Sequence, residues 1–293
     1  MQPLPGRLTP ATVSGVRIDV GGLSFDVAVG GPARAPAVLL LHGFPESSRM
    51  WDGVLPALHQ AGLRTVAPDQ RGYSPDARPT DVAAYGIGEI VGDALGLLDA
   101  LDLPAAHVLG HDWGAVVGWH LAAKHPDRVR TFTAVSVPHP AAQSAAMRSD
   151  PEQQRLSGYI QAFRVPEVAE ATLLADDARR LRGMFRPLPA EVADVFVRPL
   201  QEPGALTAAL SWYRAMGRHD LAGLGSVGVP TTYVWGTEDA GIGRTAAEGC
   251  AAYMTGEFEF VQLPGVSHWV PEQEPETVAR HALARIAGQR AVS

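Results

Sequence analysis

The fold of this chain is decided by the stretch Gly110-His111-Asp112-Trp113-Gly114. It follows the short apolar run 106–109 and precedes apolar residues from 115 to 123 that are spaced for a buried helix. Glycines two positions before and after a central residue are typical of a sharp strand-to-helix turn, because a Cβ at either position would clash. Such a turn presents its central side chain, here Asp112, at the end of a sheet.

The carboxylate of Asp112 is a candidate nucleophile. At the start of a helix, the backbone N–H groups and the helix dipole keep a carboxylate ionised. A carboxylate that attacks a carbon bearing a good leaving group forms an ester, which favours an epoxide or an alkyl halide over an amide as the substrate. The alternative is that Asp112 only caps the helix, a common use of Asp before a helical pattern.

A glycine-containing loop at 41–46 (LHGFPE) follows the apolar run 37–40. A loop of this kind can aim a backbone N–H at the nucleophile, and the residue after the nucleophile supplies a second donor. Phe44 and Trp113 are therefore the candidate donors of an oxyanion hole. An ordinary Gly-Pro turn after a buried strand is the alternative interpretation of this loop.

An acid and a histidine occur late in the chain, in the segments 235–239 (WGTED) and 265–269 (GVSHW). Each segment follows a predicted strand, at the sheet edge where the active-site loops of open α/β folds gather. The order nucleophile, acid, histidine is typical of one hydrolase fold. We predict that His268 is the catalytic base and that Asp239 orients it. Glu238 competes for the acid role, and a lone histidine in this position could also be structural.

Short apolar segments alternate with helical patterns along most of the chain. Apolar and polar residues alternate over 13–29 on both sides of Gly21-Gly22, and this pattern predicts an antiparallel hairpin at the sheet edge. Further strands are predicted at 37–41, 64–67, 106–110, 130–136, 231–235 and 258–263, and helices near 49–60, 85–101, 113–124 and 275–287. This alternation predicts an α/β fold with a mostly parallel central sheet and helices on both faces.

The alternation stops between residues 138 and 227. This block is helical or loop-like and has no convincing strand, so we predict a helical lid inserted after a strand, where an insertion disturbs the core least. The predicted organisation is an α/β core over 1–137, the lid over 138–227 and the remainder of the core over 228–293.

Asp69 is another acid that follows a strand, at 64–68. Its neighbours Arg71 and Gly72 indicate a polar cluster that fixes the loop. We therefore expect a structural role for Asp69 and Arg71.

The composition excludes several classes of function. The 293 residues, 46% of them apolar and 19% charged, suffice to bury one large core. A net charge of -7 gives nucleic acid and anionic membranes no electrostatic basis for binding. No Cys/His cluster has zinc spacing, and we expect neither a metal nor an organic cofactor.

The expected location is the cytoplasm. Cys250 is the single cysteine, so an intramolecular disulfide is impossible, which is typical of a reducing compartment. The segment Met1–Arg7 lacks the apolar stretch of a signal peptide, and no charge-free run approaches the roughly 18 residues of a membrane span. Composition leaves the oligomeric state open.

These motifs together resemble the epoxide hydrolase branch of the α/β-hydrolase family, over most of the chain. The matching features, in chain order, are the loop 42–45, the segment 69–73, the turn at Asp112, the lid segments 159–163 and 211–216, and the loops with Asp239 and His268. The resemblance implies that Tyr159 and Tyr213, one in each lid segment, activate the epoxide. An Asp nucleophile combined with two lid tyrosines is similar to epoxide hydrolases specifically.

The resemblance implies a mechanism in two halves. Asp112 attacks an epoxide carbon while Tyr159 and Tyr213 protonate the ring oxygen, which gives an ester on the enzyme. His268, oriented by Asp239, then activates water to hydrolyse the ester to a vicinal diol. The partners would be a small apolar epoxide and water.

Two other functions would use the same residues differently. A haloalkane or haloacid dehalogenase uses the same Asp chemistry. The corresponding loop of haloalkane dehalogenases, however, often resembles His-Gly-Asn-Pro, with Asn where this chain has Phe44. A haloacid substrate would require arginines just after the nucleophile, where Trp113 and the apolar run 115–117 stand instead. A catalytically inactive ligand-binding homologue is the remaining alternative, and the complete set Asp112, Asp239 and His268 argues against it.

Overall fold

The computed structural model describes residues 13–217 and 222–290. The segment Met1–Arg7, on which the signal-peptide prediction depends, lies outside the described residues. Eight strands form one sheet in the order β1-β2-β4-β3-β5-β6-β7-β8. Their bounds are β1 Ser14–Val20, β2 Leu23–Gly30, β3 Ala37–Leu41, β4 Arg64–Pro68, β5 Ala106–His111, β6 Val129–Val135, β7 Thr231–Gly236 and β8 Phe258–Leu263.

The direction of the strands places the loops of interest together. β1 pairs with β2, and β2 with β4, in antiparallel fashion, so the predicted hairpin lies at the sheet edge. The pairs β4-β3, β3-β5, β5-β6, β6-β7 and β7-β8 are all parallel. The carboxyl ends of parallel strands meet at one edge, and the ends of β3, β5, β7 and β8 lead into the loops named above. The predicted α/β fold is therefore confirmed.

Central strands are buried on both faces, as expected in a parallel sheet covered by helices. All five residues of β3 and all six of β5 are buried. The helices of the core are α1 Leu55–Gln60, α2 Ile87–Ala100, α3 Trp113–Lys124, α10 Arg244–Gly249, α11 Val270–Gln273 and α12 Pro275–Arg290. The short helices α10 and α11 were not expected, because four to six residues are too few to show a helical period.

Six helices lie between β6 and β7 in the described residues, and none of the named strands falls there. They are α4 Pro140–Ser149, α5 Pro151–Leu156, α6 Tyr159–Phe163, α7 Val168–Met184, α8 Ala190–Leu200 and α9 Ala205–Ala215. α7 is interrupted by non-helical backbone at Ala175–Ala178. The division of the chain at residues 138 and 227 stays a prediction.

No helix in the part of the chain that the structure describes has the length and hydropathy needed to cross a membrane.

Candidate active site

The turn between β5 and α3 carries Asp112 in a strained backbone conformation, with φ 50° and ψ -118°. A Cβ on Gly110 would lie 2.4 Å from the carbonyl oxygen of Gly114. A Cβ on Gly114 would lie 2.0 Å from the carbonyl oxygen of Leu41. Only glycine fits at both positions, and the positive φ that the turn imposes on Asp112 is the kind of strain that concentrates at functional sites.

The loop after β3 contacts the carboxylate of Asp112 directly. The backbone N–H of Phe44 donates to Oδ1 of Asp112 at 2.8 Å. A Cβ on Gly43 would lie 2.6 Å from the same oxygen, so a larger residue would displace the carboxylate. Phe44 thus has the N–H contact that an oxyanion-hole donor needs.

The two late loops bring a histidine and an acid to the same carboxylate. Nε2 of His268 lies 3.5 Å from Oδ2 of Asp112, and Nδ1 of His268 lies 2.8 Å from Oδ2 of Asp239. The other oxygen of Asp239 accepts backbone N–H bonds from Gly241 at 2.7 Å and Ile242 at 3.0 Å. The competing acid Glu238 is exposed and contacts neither ring nitrogen of His268.

Charge and burial act in opposite directions on the pKa values of Asp112 and His268. Burial by itself would raise the pKa of Asp112, but the hydrogen bond and the charge of His268 hold that pKa below its ordinary value. Burial would lower the pKa of His268, whereas the charge of Asp239 and the hydrogen bonds to Asp112 and Asp239 raise it well above the ordinary value. The free site therefore contains an ionised Asp112 beside an imidazolium.

The backbone of His268 is held by hydrogen bonds from residues that were not predicted from the sequence to belong to the site. Its carbonyl oxygen accepts from Oγ of Ser136 at 2.7 Å and is 2.9 Å from Nε2 of His111. Nδ1 of His111 is 2.9 Å from Oε2 of Glu46, and both side chains are fully buried. Glu46 and His111 each stand inside a motif quoted above, but nothing in their local sequence indicates that they meet.

Tyr159 begins α6 and Tyr213 lies near the end of α9, and both face Asp112 across a cavity. Their ring centroids are 6.1 Å apart and the rings meet edge to face. The ring of Trp113 packs edge to face against that of Tyr213, with centroids 5.2 Å apart. Burial, then nearby negative charge, raises the pKa of Tyr159, and burial raises that of Tyr213 well above its ordinary value. Both phenols keep their protons near neutral pH.

Two cavities meet at Asp112, Tyr159, Tyr213 and His268. The wide cavity has a volume of about 390 Å³ and the narrow cavity one of about 40 Å³. The wide cavity is also lined by Phe44, Phe163, Leu173, Met184 and Trp269. A mainly apolar lining with a few convergent polar groups is typical of a site for a small organic molecule.

Among residues 13–217 and 222–290, no group of three or more His, Cys, Asp or Glu side chains could hold a metal ion. The structure brings together the sequence-predicted residues Asp112, His268, Asp239, Phe44, Tyr159 and Tyr213.

Comparison with known proteins gives the family. The sequence profile of the alpha/beta hydrolase fold matches residues 36–275. The AB hydrolase superfamily protein YfhM of Bacillus subtilis is 34% identical, over 93% of this chain and 97% of that protein. Epoxide hydrolase A of Mycobacterium tuberculosis is also 34% identical, over 92% of this chain and 96% of that protein.

A solved structure agrees with the sequence comparison. The crystal structure of epoxide hydrolase A from Mycobacterium thermoresistibile matches with a TM-score of 0.84 at 31% identity, and the match covers 94% of this chain and 99% of that one. The chain belongs to the alpha/beta hydrolase fold family, in its epoxide hydrolase branch. The family resemblance and the prediction of an enzyme are confirmed.

Proposed function

We propose that this enzyme hydrolyses epoxides to vicinal diols through a covalent ester on Asp112. The observation that carries the proposal is the shared cavity, in which the Asp112–His268–Asp239 chain faces the hydroxyls of Tyr159 and Tyr213. The relatives named as epoxide hydrolases support the reaction class.

In the first half-reaction, Asp112 attacks an epoxide carbon and the C–O bond breaks. The departing oxygen develops negative charge, and Tyr159 and Tyr213 supply hydrogen bonds and a proton to it. Because the pKa of each phenol is raised, both keep their protons near neutral pH, and the site holds the acid in its active form before the substrate arrives. The product of this step is a hydroxyalkyl ester of Asp112.

Formation of the ester prepares the second half-reaction. The charge of Asp112 and its hydrogen bond both contribute to the raised pKa of His268. Esterification removes both contributions, so the pKa of His268 falls and the imidazolium releases its proton, which restores through solvent the phenol that protonated the ring oxygen. The neutral imidazole can then take a proton from water. Asp239 keeps Nδ1 of the ring oriented at 2.8 Å while Nε2 acts as the base.

The hydroxide that results attacks the ester carbonyl. The N–H of Phe44 already lies 2.8 Å from Oδ1 of Asp112, where the oxyanion would form. We assign the second donor to the N–H of Trp113. Release of the diol restores the carboxylate of Asp112.

A panel of epoxides and haloalkanes, assayed for diol and for halide, tests the reaction class. We expect diol from epoxides. Halide release without diol would transfer the assignment to a dehalogenase, and binding without either product would indicate an inactive homologue.

The tyrosines provide the sharper test. Phenylalanine keeps the ring and removes the donor, so Tyr159→Phe or Tyr213→Phe should slow ester formation, and the double variant should lose about 10²- to 10⁴-fold in rate. Tyr253→Phe is the matched control, because Tyr253 stacks on His139 away from the site. Near-full diol formation by the double variant would contradict the assigned role.

A small apolar epoxide and water are the proposed partners. The cytoplasmic location and the lack of a nucleic-acid or membrane partner stay predictions.

A further inference from the structure

The loop between β7 and α10 holds the acid of the site by its backbone. Its residues 241–243 are Gly-Ile-Gly. Oδ1 of Asp239 accepts the N–H groups of Gly241 at 2.7 Å and Ile242 at 3.0 Å. Oδ2 of the same carboxylate lies 2.8 Å from Nδ1 of His268. Because one oxygen is bound to the loop, the position of the loop decides where the other oxygen points.

A side chain of the lid is bonded to this loop at both glycines. Gln153 of α5 is fully buried. Its Nε2 donates to the carbonyl oxygen of Gly241 at 2.8 Å, and its Oε1 accepts the N–H of Gly243 at 2.8 Å. Nε2 also donates to Oγ of Ser157 at 2.9 Å. The orientation of the amide is fixed, because the opposite one would set its NH₂ group against the N–H of Gly243.

Resting on the proposed function, we propose that Gln153 is a positioning residue for ester hydrolysis: through the loop 241–243 it holds Asp239 where that carboxylate orients His268. Gln153 lines neither of the cavities that contain Asp112, so it acts without touching the substrate. Removal of its amide would free the loop at both glycines, where no Cβ restricts the backbone.

The second half-reaction depends on this geometry more than the first. Ester formation uses Asp112 and the two tyrosines. Ester hydrolysis uses His268 as a general base, and a general base is effective only when its ring is aligned with the water that it deprotonates. A displaced Asp239 should therefore slow the loss of the ester more than its formation.

Gln153→Met tests the proposal, because it keeps the length of the side chain and removes the amide. Single turnovers with styrene oxide, quenched rapidly and followed by intact-protein mass spectrometry, give the rates of ester formation and ester loss separately. We expect ester formation near the wild-type rate. Ester hydrolysis should be about 10- to 100-fold slower, the scale of loss when a reacting group is misplaced, so the adduct should accumulate.

Ser157→Ala is the matched control, because it removes the third hydrogen bond of Gln153 and keeps both bonds to the loop. It should keep the wild-type ratio of the two rates. Gln153→Glu is the conservative variant. Burial favours the protonated form of a carboxyl group, which can donate to Gly241 and accept from Gly243. Relative to the wild type at the same pH, this variant should hydrolyse the ester well at low pH and lose that rate as its carboxyl ionises.

A second measurement reports the position of Asp239 without any turnover. The charge of Asp239 and its hydrogen bond both raise the pKa of His268, so a displaced Asp239 should lower that pKa. A nitrogen-15 NMR titration of the free enzyme measures it, and we expect a lower pKa in Gln153→Met than in the wild type or in Ser157→Ala. The other groups whose charge interacts with His268 are the same in all three proteins: Asp112, Glu46 and His111.

The outcomes separate this inference from the proposed function. An unchanged pKa of His268 in Gln153→Met, or equal slowing of the two half-reactions, would overturn the positioning role and leave Gln153 as a structural contact between lid and core. Absence of adduct and diol in the wild-type enzyme, with styrene oxide and with every other epoxide of the panel, would contradict the proposed function. The NMR titration would still decide in that case whether Gln153 positions Asp239. If Gln153→Met fails to fold, Gln153→Glu above the pKa of its carboxyl supplies both measurements.

Discussion

Asp112 and His268 form an ion pair in the free site, and this pair sets the order of the two half-reactions. His268→Gln keeps a side chain that can hydrogen-bond Asp112 but removes the base. We expect this variant to form the ester and to fail to hydrolyse it, because ester formation needs Asp112 and the tyrosines only. Intact-protein mass spectrometry under saturating epoxide should detect the adduct. Asp112→Asn is the control and should show none; an unmodified His268→Gln protein would contradict the assignment of His268 to the second step.

Glu46, the buried carboxyl group that contacts His111, makes the free energy of unfolding depend on pH. Burial raises the pKa of Glu46 from its ordinary value of 4.5 to about 7. The folded protein therefore binds a proton more tightly than the unfolded chain does, so the contribution of Glu46 to stability is complete below about pH 4.5 and is lost as the pH rises to about 7. Relative to Glu46→Gln, we expect the wild-type protein to lose roughly 3 kcal/mol of unfolding free energy across this interval.

Urea unfolding of both proteins at several pH values between 4.5 and 7.5 measures this difference. The difference between the two proteins removes the carboxyl groups that do not contact Glu46, and it reports Glu46 together with Glu272, whose pKa Glu46 helps to raise. If the unfolding free energies of the two proteins ran parallel with pH, Glu46 would be ionised in the folded protein throughout this interval, in spite of its burial.

At the scale of the elements, α9 connects the lid to the core. The indole N–H of Trp212 donates to the backbone carbonyl of Arg71 at 2.8 Å. The guanidinium of Arg71 in turn makes two hydrogen bonds of 2.6 Å to Asp93, and both side chains are buried. Tyr213 is the next residue after Trp212, so this connection positions a proposed proton donor.

Trp212→Phe should weaken that connection. The change leaves the carbonyl of Arg71 without its donor, at a cost of about 1–3 kcal/mol, and we expect faster hydrogen exchange in α9 together with a lower kcat. Trp119→Phe is the matched control, since Trp119 donates a comparable buried bond to Val137 within the core. Equal exchange in α9 for both variants would mean that the Trp212 bond does not hold the helix.

At the scale of the whole molecule, one hydrophobic core extends from the sheet into the lid. It includes Leu39 of β3, Trp113 of α3, and Leu181 of α7, which is fully buried. We therefore expect the lid and the sheet to unfold together. Leu181→Ala should cost about 2–5 kcal/mol and lower the Tm of the entire protein by about 3 to 8 °C, because a chain of 293 residues unfolds with a large entropy.

Far-ultraviolet circular dichroism and tryptophan fluorescence, followed on heating, measure this cooperativity. Coincident transitions in the wild type and in Leu181→Ala are the expected result. A separate early transition in the variant would show that the lid unfolds independently.

The sequence by itself determined the features that depend on neighbouring residues. Alternation of apolar segments predicted the strands within one or two residues, because strand and helix periods are local properties. The glycines around Asp112 predicted its turn. The clash of a Cβ on Gly110 with Gly114 lies within the same few residues, whereas a Cβ on Gly114 would meet the carbonyl oxygen of Leu41, in a distant part of the chain. Asp69 and Arg71 were expected to have a structural role in a polar cluster that fixes the loop, and the structure gives the two side chains separate partners. Arg71 pairs with Asp93, while Asp69 accepts the N–H of Ser48 at 2.7 Å.

Only the tertiary structure decided which distant groups meet. Asp239, and not its neighbour Glu238, contacts His268, because backbone N–H groups beyond the turn hold its carboxylate. The bonds from Ser136 and His111 to the backbone of His268 join residues more than 130 positions apart. No local pattern encodes such pairs, since a buried polar group must find a partner wherever the packing of the sheet and lid provides one.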